Sequence, residues 1–336
     1  MTAVTMSADD RVWIRIDDQS AVGAVRRSAM GVGAEVGLDE EALGNLAIVV
    51  TEVATNLARH AEDGVVLVRI VRTGEQTGTE IVAMDRGPGI PDIASASVDG
   101  HSTAGTLGIG LGAIARKATT FDIYSQVDAG TVLAAAVFAG QGRPSPWVAG
   151  LSRPIPGEEV CGDGYAARTI EGRRQVLLCD GLGHGPLAAV SAQAAVAEFL
   201  AAPAEGPTAV LDHIHRRIKH TRGVVGAVAE FHPGAEVLRF AGVGNIAAVL
   251  IDGAQRRAMV SLPGILGGHR REAREFTYPL SPHALVVLHS DGLTDRWNLG
   301  AYPGLTAQPP VVIAATLMRD AGKRRDDASV LVAAAS

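Results

Sequence analysis

Cysteine, aromatic residues and long apolar runs are all scarce in this sequence. Only Cys161 and Cys179 occur, with no CxxC or Cys/His spacing, which excludes a disulfide framework and a zinc site of the usual ligand spacing. The most apolar stretch, residues 187–202, is interrupted by Ser191 and Glu198 and is too short to span a bilayer. We therefore expect a cytoplasmic protein with two reduced, buried thiols and no membrane partner.

Positive charge is too scattered for a nucleic-acid surface. Lys and Arg number 30 against 36 Asp and Glu, for a formal net charge of −6, and no basic stripe is present to displace counterions from a phosphate backbone. The composition is otherwise that of a folded globular protein, because 47% of the residues are hydrophobic and 20% are charged. The length of 336 residues allows about two domains of roughly 150 residues each.

Glycine and proline are dense in one long interval, residues 140–156, which predicts a linker at 141–156 between a domain at 1–140 and a second at about 146–336. Upstream, hydrophobic periodicity predicts a mixed sheet covered by helices on one face, with helices at 20–36, 39–60 and 110–118 and strands at 12–16, 65–71, 80–84, 121–125 and 131–138. Downstream, the pattern predicts strands at 164–170, 175–179, 224–231, 237–241, 247–251, 285–289 and 329–333 and helices at 186–201, 208–220 and 310–321. This grouping of strands and helices predicts the α+β class.

Three motifs upstream of the linker carry groups suited to a nucleotide. Glu52 and Asn56 stand four residues apart, on one face of a predicted helix. Asp85 ends a predicted strand within MDRGPGI, and GTLGIGLGAIARKA then forms a glycine-rich loop that leads into a helix. A carboxylate at a strand end can accept a hydrogen bond from an adenine amino group, and free N–H groups at a helix start favour phosphate oxygens. Asn56 offers an oxygen to Mg²⁺ and Glu52 a base for an attacking hydroxyl.

Each motif alone is weak, because a helical glutamate is usually solvated and an Asp-x-Gly-x-Gly segment is often a plain turn. The ordered set is more specific, and it lacks the Gly-Lys-Ser/Thr ending of a Walker A loop. Residues 47–61, 85–90 and 105–131 resemble the three boxes of the GHKL ATPases, and among these the small anti-sigma-factor serine kinases of stressosomes. The resemblance covers about residues 10–139. It implies a Bergerat α/β sandwich that binds ATP with Mg²⁺. It assigns Glu52 as catalytic base, Asn56 as Mg²⁺ ligand, Asp85 as adenine acceptor, and Gly87, Gly89, Gly108, Gly110 and Thr131 along the nucleotide.

Four aspartates stand out downstream of the linker: Asp163 in CGDGY, Asp180 in LLCDGLGHG, Asp291 in LHSDGL and Asp326 in RRDDASVLV. An Asp-Gly pair by itself usually makes a turn, but four in order, with apolar strands leading into two of them, indicate converging side chains. Carboxylates suit Mn²⁺ or Mg²⁺, and two such ions would activate a water molecule and clamp a phosphate. A Cys-x5-Arg loop is absent, which argues against a cysteinyl-phosphate route.

Residues of about 146–336 resemble the PPM-type phosphatases of the SpoIIE group, through these four motifs and through GVGN, which ends at Asn245. The resemblance implies an αββα sandwich with two Mn²⁺ or Mg²⁺ ions. It assigns Asp180 as a bridge between the ions, the carbonyl of Gly181 as a ligand of one, Asp291 and Asp326 as ligands of the second, and Asp163 as their support. It identifies no phosphate-binding arginine.

Together the two resemblances imply a bifunctional regulator of partner-switching signalling. Its substrate would be a serine or threonine of a STAS-domain protein, within an anti-sigma or stressosome complex. One alternative is a monofunctional phosphatase whose N-terminal domain only binds ATP or a partner. A second is a non-enzymatic adaptor that uses both folds as docking surfaces.

Overall fold

The computed structural model describes residues 4–74, 76–96, 110–140, 147–232, 234, 236–270, 272–323 and 325–335, without the side chains of 4–7. The chain forms two compact units. The N-terminal unit contains the described residues of 8–145 and 302–319, and the C-terminal unit those of 1–7, 146–301 and 320–336. The division based on sequence did not anticipate that residues 302–319 group with the N-terminal unit.

The N-terminal unit is a sheet with helices packed on one face, as predicted. Its elements are β1 (Val4–Arg15, of which residues 4–7 belong to the C-terminal unit), α1 (Ser20–Glu35), α2 (Glu40–His60), β2 (Val65–Thr73), β3 (Gln76–Met84), α3 (Ile93–Ala96), α4 (Gly110–Lys117), β4 (Thr120–Gln126) and β5 (Gly130–Phe138). The strand order is β1-β2-β3-β5-β4, and the pairs β2/β3, β3/β5 and β4/β5 are antiparallel. Helix α2 begins where Asp39 caps it, because the Asp39 carboxylate accepts a hydrogen bond from the Ala42 N–H at 2.8 Å.

The core of this unit lies between α1, α2 and the sheet. Apolar residues at helical spacing on α2 point inward and meet alternate residues of the strands. The buried set includes Val25, Leu46, Val50, Val53, Val66, Val68, Ile70, Ile81, Leu133 and Ala135. This packing buries one face of α2 against the sheet and leaves Glu52 and Asn56 partly buried.

The C-terminal unit contains two sheets. Its strands are β6 (Val148–Arg153), β7 (Asp163–Ile170), β8 (Arg173–Gly181), β9 (Val224–His232), β10 (Val237–Val243), β11 (Ala247–Asp252), β12 (Gln255–Ala258), β13 (Ser261–Leu262), β14 (Phe276–Pro279), β15 (Leu285–His289) and β16 (Ala328–Ala334). Its helices are α5 (Pro186–Ala201) and α6 (Pro207–Arg217), and α7 (Pro310–Ala321) crosses the boundary at residue 319. One sheet has the order β13-β10-β9-β8-β7, with β14 also on β10, and the other β12-β11-β15-β16-β6.

Alternate apolar side chains of β8 enter two different hydrophobic cores, so this strand lies between them. Leu178 faces the core between the two sheets, whereas Leu177 and Cys179 face the core under α5 and α6. Strand β6, which lies inside the predicted linker, pairs with β16 in this unit. Among the described residues, no helix is both long enough and apolar enough to cross a membrane.

Candidate functional site

The structure brings Glu52, Asn56 and Gly110 together where α4 begins beside α2. A Cβ atom on Gly110 would lie 3.3 Å from Oε2 of Glu52 and 3.2 Å from Nδ2 of Asn56. The absence of a side chain at Gly110 therefore lets the start of α4 approach both polar groups closely. The start of α4 therefore lies next to an amide oxygen and a carboxylate, which is the arrangement expected for a phosphate with its Mg²⁺.

Asp85 lies directly after β3 and is held by hydrogen bonds on both its backbone and its side chain. Its N–H donates to the carbonyl of Thr131 at 3.0 Å, and its Oδ1 accepts from the N–H of Gly87 at 2.7 Å. Burial raises the pKa of Asp85, and the hydrogen bonds from Gly87 and the charge of Arg319 oppose that rise. Because Gly87 already engages Oδ1, we expect a ligand to meet Oδ2.

The neighbouring turn between β4 and β5 packs tightly against this position. Oγ1 of Thr131 lies 2.8 Å from Oγ of Ser125, which also accepts from the N–H of Ile90 at 2.7 Å. Gly89 has a φ of 71°, and a Cβ atom there would lie 2.2 Å from the carbonyl oxygen of Gln126. Sequence reasoning missed Ser125, because a serine in a strand carries no signal of its own. Gly108, which was predicted to contact the nucleotide, lies outside the described residues.

In the C-terminal unit, Asp163 and Asp180 occupy opposed positions of the β7–β8 hairpin. Asp163 is 7% exposed, and neither of its carboxylate oxygens makes a hydrogen bond of acceptable geometry, although the hydroxyls of Ser290 and Ser329 lie close enough to lower its pKa somewhat. Burial dominates and, with the negative charges of nearby aspartates, raises the pKa of Asp163 to about 7.

The other predicted aspartates lie within electrostatic range of this pair. Burial, followed by the charges of Asp163, Asp291 and Asp326, raises the pKa of Asp180 to about 8. Burial and the charge of Asp291 also raise the pKa of Asp326. Because mutual repulsion among carboxylates is what a divalent cation relieves, the donor set fits Mn²⁺ or Mg²⁺. As the side chains stand, however, no three His, Cys, Asp or Glu residues in the described ranges form a group that could hold a metal ion.

Asp327 and Asn245 lie beside the predicted metal ligands, and their hydrogen bonds hold the surrounding structure in place. Both carboxylate oxygens of Asp327 are already engaged, because Oδ1 accepts from the N–H of Ile155 at 2.7 Å and Oδ2 from that of Gly162 at 2.8 Å. Nδ2 of Asn245 donates to Oδ2 of Asp291 at 2.9 Å, which orients that side chain. Asp327 therefore ties down the loop that leads into β7, and Asn245 acts directly on a predicted ligand.

Gly181, predicted to offer its carbonyl to a metal, lies where the backbone is crowded. A Cβ atom there would lie 2.3 Å from the carbonyl oxygen of Ala188 and 2.9 Å from that of Gly162. The Asp-Gly pair at 180–181 is therefore required by the close approach of three chain segments and not only by a turn. Whether the Gly181 carbonyl binds metal stays a prediction.

Two cationic side chains border the same region, and sequence reasoning did not find the first of them, Arg222. Nη1 of Arg222 lies 3.4 Å from the position that a Cβ on Gly183 would take, and the N–H of Leu182 donates to the carbonyl of Gly223 at 3.2 Å. Nζ of Lys323 donates to the backbone carbonyl of Asp291. The turn at 221–223 thus carries an exposed guanidinium to the loop that follows Asp180.

The thiols are unsuited to nucleophilic chemistry. Burial raises the pKa of Cys161 and of Cys179 well above the ordinary range, and the charges of nearby aspartates add to the rise. The thiolate is the reactive form, so these environments disfavour reaction at either sulfur. Cys179 is buried as predicted, whereas Cys161, also predicted to be buried, is only partly so. Exposed His184 pairs with Glu158, with 3.0 Å between Nδ1 and Oε1.

Comparison with known proteins matches each unit to a different family. Residues 17–137 match the model of the histidine kinase-like ATPase domain, and residues 170–336 match that of stage II sporulation protein E (SpoIIE). The serine/threonine-protein kinase RsbT of Bacillus subtilis (strain 168) is 32% identical over 127 residues, which are 38% of this chain and 96% of RsbT.

Solved structures give similar matches. A structure of the bacterial stressosome, described as a modular system adapted to control secondary messenger signalling, is 28% identical with a TM-score of 0.51, and the match covers 55% of this chain and 97% of that one. A crystal structure of RsbX in complex with magnesium is 20% identical with a TM-score of 0.47, covering 56% and 94%. The two family matches confirm the predicted fold class, with an ATPase-like fold followed by a PPM-like fold.

Proposed function

We propose that this chain, which belongs to the RsbT-type histidine kinase-like ATPases through its N-terminal unit and carries a SpoIIE-type phosphatase domain in its C-terminal unit, is a bifunctional partner-switching regulator. The proposed reactions are transfer of phosphate from ATP to a partner protein and hydrolysis of such a phosphate. One observation carries the proposal: a chain with both folds retains both sets of reactive side chains. Glu52 and Asn56 lie at the start of α4, and four aspartates repel one another around the β7–β8 hairpin.

In the N-terminal unit, Glu52 is the proposed general base. Its carboxylate would take the proton of a serine or threonine hydroxyl as that oxygen bonds to the terminal phosphorus of ATP. The bond from that phosphorus to the β,γ-bridging oxygen would break, and ADP would leave. Asp85 would accept a hydrogen bond from the adenine amino group, and Asn56 would give an oxygen to Mg²⁺. When bound, Mg²⁺ neutralises charge on the phosphates. The glycines would let the backbone approach the nucleotide closely, Gly87 and Gly89 at the base and Gly108 and Gly110 at the phosphates. Thr131 would also lie at the base.

In the C-terminal unit, the aspartates are the proposed ligands of two divalent cations. Asp180 would lie between them, Asp291 and Asp326 would hold the second, and Gly181 and Asp163 would complete the site. When bound, such ions activate water for attack on a phosphate monoester. Asn245 orients the carboxylate of Asp291, and Arg222 lies where its guanidinium could pair with the phosphate of the substrate.

The proposed substrate is a phosphorylated serine or threonine on a STAS-domain protein, in an anti-sigma or stressosome setting. Support comes from the RsbT likeness of the N-terminal unit and from the likeness to a stressosome structure. The first alternative, a monofunctional phosphatase with a binding-only N-terminal domain, would require Glu52 to have no chemical role. The adaptor alternative would require both sites to be inactive.

The proposal is tested by incubating the full-length chain with γ-labelled ATP and STAS-domain proteins encoded near its gene. Label should enter a partner in Mg²⁺, and the labelled partner should lose phosphate after unlabelled ATP and Mn²⁺ are added. EDTA should stop the release. If no partner protein accepts label, the proposed kinase activity is contradicted. If phosphate release persists in EDTA, the proposed metal-dependent phosphatase activity is contradicted.

A further inference from the structure

The far end of the chain supplies an arginine to the candidate nucleotide site. Arg319 lies in the last turn of α7, within the N-terminal unit, and only 8% of its surface is exposed. Its Nη1 donates a hydrogen bond to the backbone carbonyl oxygen of Asp85 at 3.0 Å. In return, Nη2 of Arg86 donates to the backbone carbonyl oxygen of Arg319. Two reciprocal arginine–carbonyl bonds therefore join segments that are 233 and 234 residues apart in sequence.

The bond from Arg86 suits the place where it is made. The last carbonyl groups of a helix have no partner within the helix and form the negative end of its dipole. A guanidinium that donates to one of these carbonyls satisfies it and complements its charge. The end of α7 is thereby fixed to the residue next to Asp85.

The bond from Arg319 acts on Asp85 itself. Asp85 is 9% exposed, and the Arg319 guanidinium supplies a charged donor to its backbone carbonyl oxygen. The same oxygen is confined from another side, because a Cβ atom on Gly130 would lie 2.0 Å from it. The positive charge of Arg319 also favours the ionised carboxylate of Asp85. The ionised form is the stronger acceptor for a hydrogen bond from an adenine amino group.

We propose that Arg319 is a positioning residue of the nucleotide site, so that a segment from the opposite end of the chain contributes to selectivity for adenine. This inference rests on the proposed role of Asp85. It predicts a loss of base selectivity and not a general loss of nucleotide affinity, because Arg319 acts on the residue that meets the base. Residues 1–140 alone would then lack part of their own nucleotide site.

The test is isothermal titration calorimetry of the full-length chain with ADP and IDP in Mg²⁺. The 6-amino group of ADP donates to a carboxylate, whereas the carbonyl oxygen in its place in IDP repels one, so the unmodified chain should prefer ADP. Arg319→Ala should weaken ADP binding about tenfold, because a misplaced Asp85 would lose its hydrogen bond to the 6-amino group. IDP binding should stay unchanged. Arg72→Ala, which removes an exposed arginine from β2 of the same unit, is the matched control.

A second variant, Arg319→Gln, keeps part of the aliphatic stem and removes the charge. It should shift the ADP-to-IDP ratio in the same direction, and it decides the question if Arg319→Ala does not fold. A ratio that stays at the unmodified value would overturn the positioning role, even if both affinities fall together, because an equal fall is what a purely structural role gives. If the unmodified chain binds ADP and IDP equally, Asp85 does not recognise the base, and the proposed nucleotide site and this inference fail together. If the unmodified chain prefers ADP and both variants keep that preference, only the inference on Arg319 fails. Measuring the unmodified chain first therefore separates the two failures.

Discussion

Asp163 and Asp180 face each other directly across the β7–β8 hairpin, at opposed positions of its antiparallel register. Like charges at such positions destabilise a sheet, and burial adds the cost of removing carboxylates from water. Burial, with the charges of Asp327 and Asp291, raises the pKa of Asp163 to about 7. Burial, followed by the charge of Asp163, raises the pKa of Asp180 to about 8. A pair that costs stability in this way is expected where a site, and not the fold, requires the residues.

The first prediction concerns stability in the absence of divalent cations. Above about pH 8, where both carboxyls are ionised, Asp163→Asn should raise the free energy of unfolding in EDTA by roughly 0.2–1 kcal/mol, because it removes one of two opposed like charges. Mn²⁺ or Mg²⁺ should raise the melting temperature of the unmodified chain, since they bind the folded state, and should raise that of the variant less. Asp252→Asn, at an exposed position of β11, should change neither value. A lower melting temperature for Asp163→Asn in EDTA would show that the opposed carboxylates do not repel each other.

The second prediction concerns the pH dependence of the same stability. The pKa values of Asp163 and Asp180 are raised in the folded protein from the ordinary value of 3.8. Between about pH 4 and about pH 8 the folded state therefore binds more protons than the unfolded chain, and stability falls as the pH rises through this window. Differential scanning calorimetry in EDTA should show this decline, and saturating Mn²⁺ should flatten it. The account is contradicted if Asp163→Asn shows the same decline as the unmodified chain.

The third prediction tests the close contact between α4 and α2. In Gly110→Ala the new Cβ would approach Glu52 and Asn56 to 3.2–3.3 Å, so these side chains must shift. Misplacing a base and a cation ligand by even a fraction of an ångström should lower phosphoryl transfer about tenfold or more. Gly44→Ala, also in a helix, meets nothing within 4 Å and should leave transfer unchanged while stabilising α2 by about 0.5–1 kcal/mol. Equal transfer rates for the two variants would place the reaction away from this contact.

The fourth prediction assigns a role to Arg222. Because its guanidinium lies beside the loop that follows Asp180, Arg222→Ala should raise the KM for a phosphoserine peptide about tenfold, the effect of one lost charged hydrogen bond. The metal concentration for half-maximal activity should stay the same. The control is Arg216→Ala, which removes an exposed arginine that lies in α6. Steady-state kinetics that show a change in metal dependence and none in KM would assign Arg222 to the metal site instead.

The sequence predicted best those elements whose pattern is strong and local. Helices α5 and α7 and strand β15 occur at their predicted bounds, since each is a continuous apolar or periodic segment next to a proline or a polar turn. Strands β12 and β13 were not predicted. All four residues of β12 are exposed and β13 has only two residues, so neither carries the alternation that marks a half-buried strand.

The site residues also fall into those that local sequence patterns predicted and those that they could not. Motif spacing was enough to group Glu52 with Asn56, because a helix places residues four apart on one face. It could not find Arg319 or Arg222, because a surface-type residue in a helix or turn gains its role only from tertiary packing. Arg319 contacts a residue 234 positions away, and Arg222 reaches its loop through the pairing of Leu182 with Gly223.

The central claim is that one chain carries two opposed activities, and two single substitutions separate them. Glu52→Ala should leave nucleotide binding intact and lower phosphoryl transfer by about 10²–10⁴-fold, the usual contribution of a general base. Asp291→Asn should weaken the metal site and leave transfer unchanged. Glu41→Ala, exposed in the first turn of α2, and Asp252→Asn are the matched controls.

The most direct measurement is the steady-state phosphorylation of the partner protein in the presence of ATP, Mg²⁺ and Mn²⁺, read by intact-protein mass spectrometry. Relative to the unmodified chain, Glu52→Ala should lower the phosphorylated fraction and Asp291→Asn should raise it. A raised fraction with Asp291→Asn but no change with Glu52→Ala would contradict the bifunctional account and favour a phosphatase with a binding-only N-terminal domain. No change with either substitution would favour the adaptor.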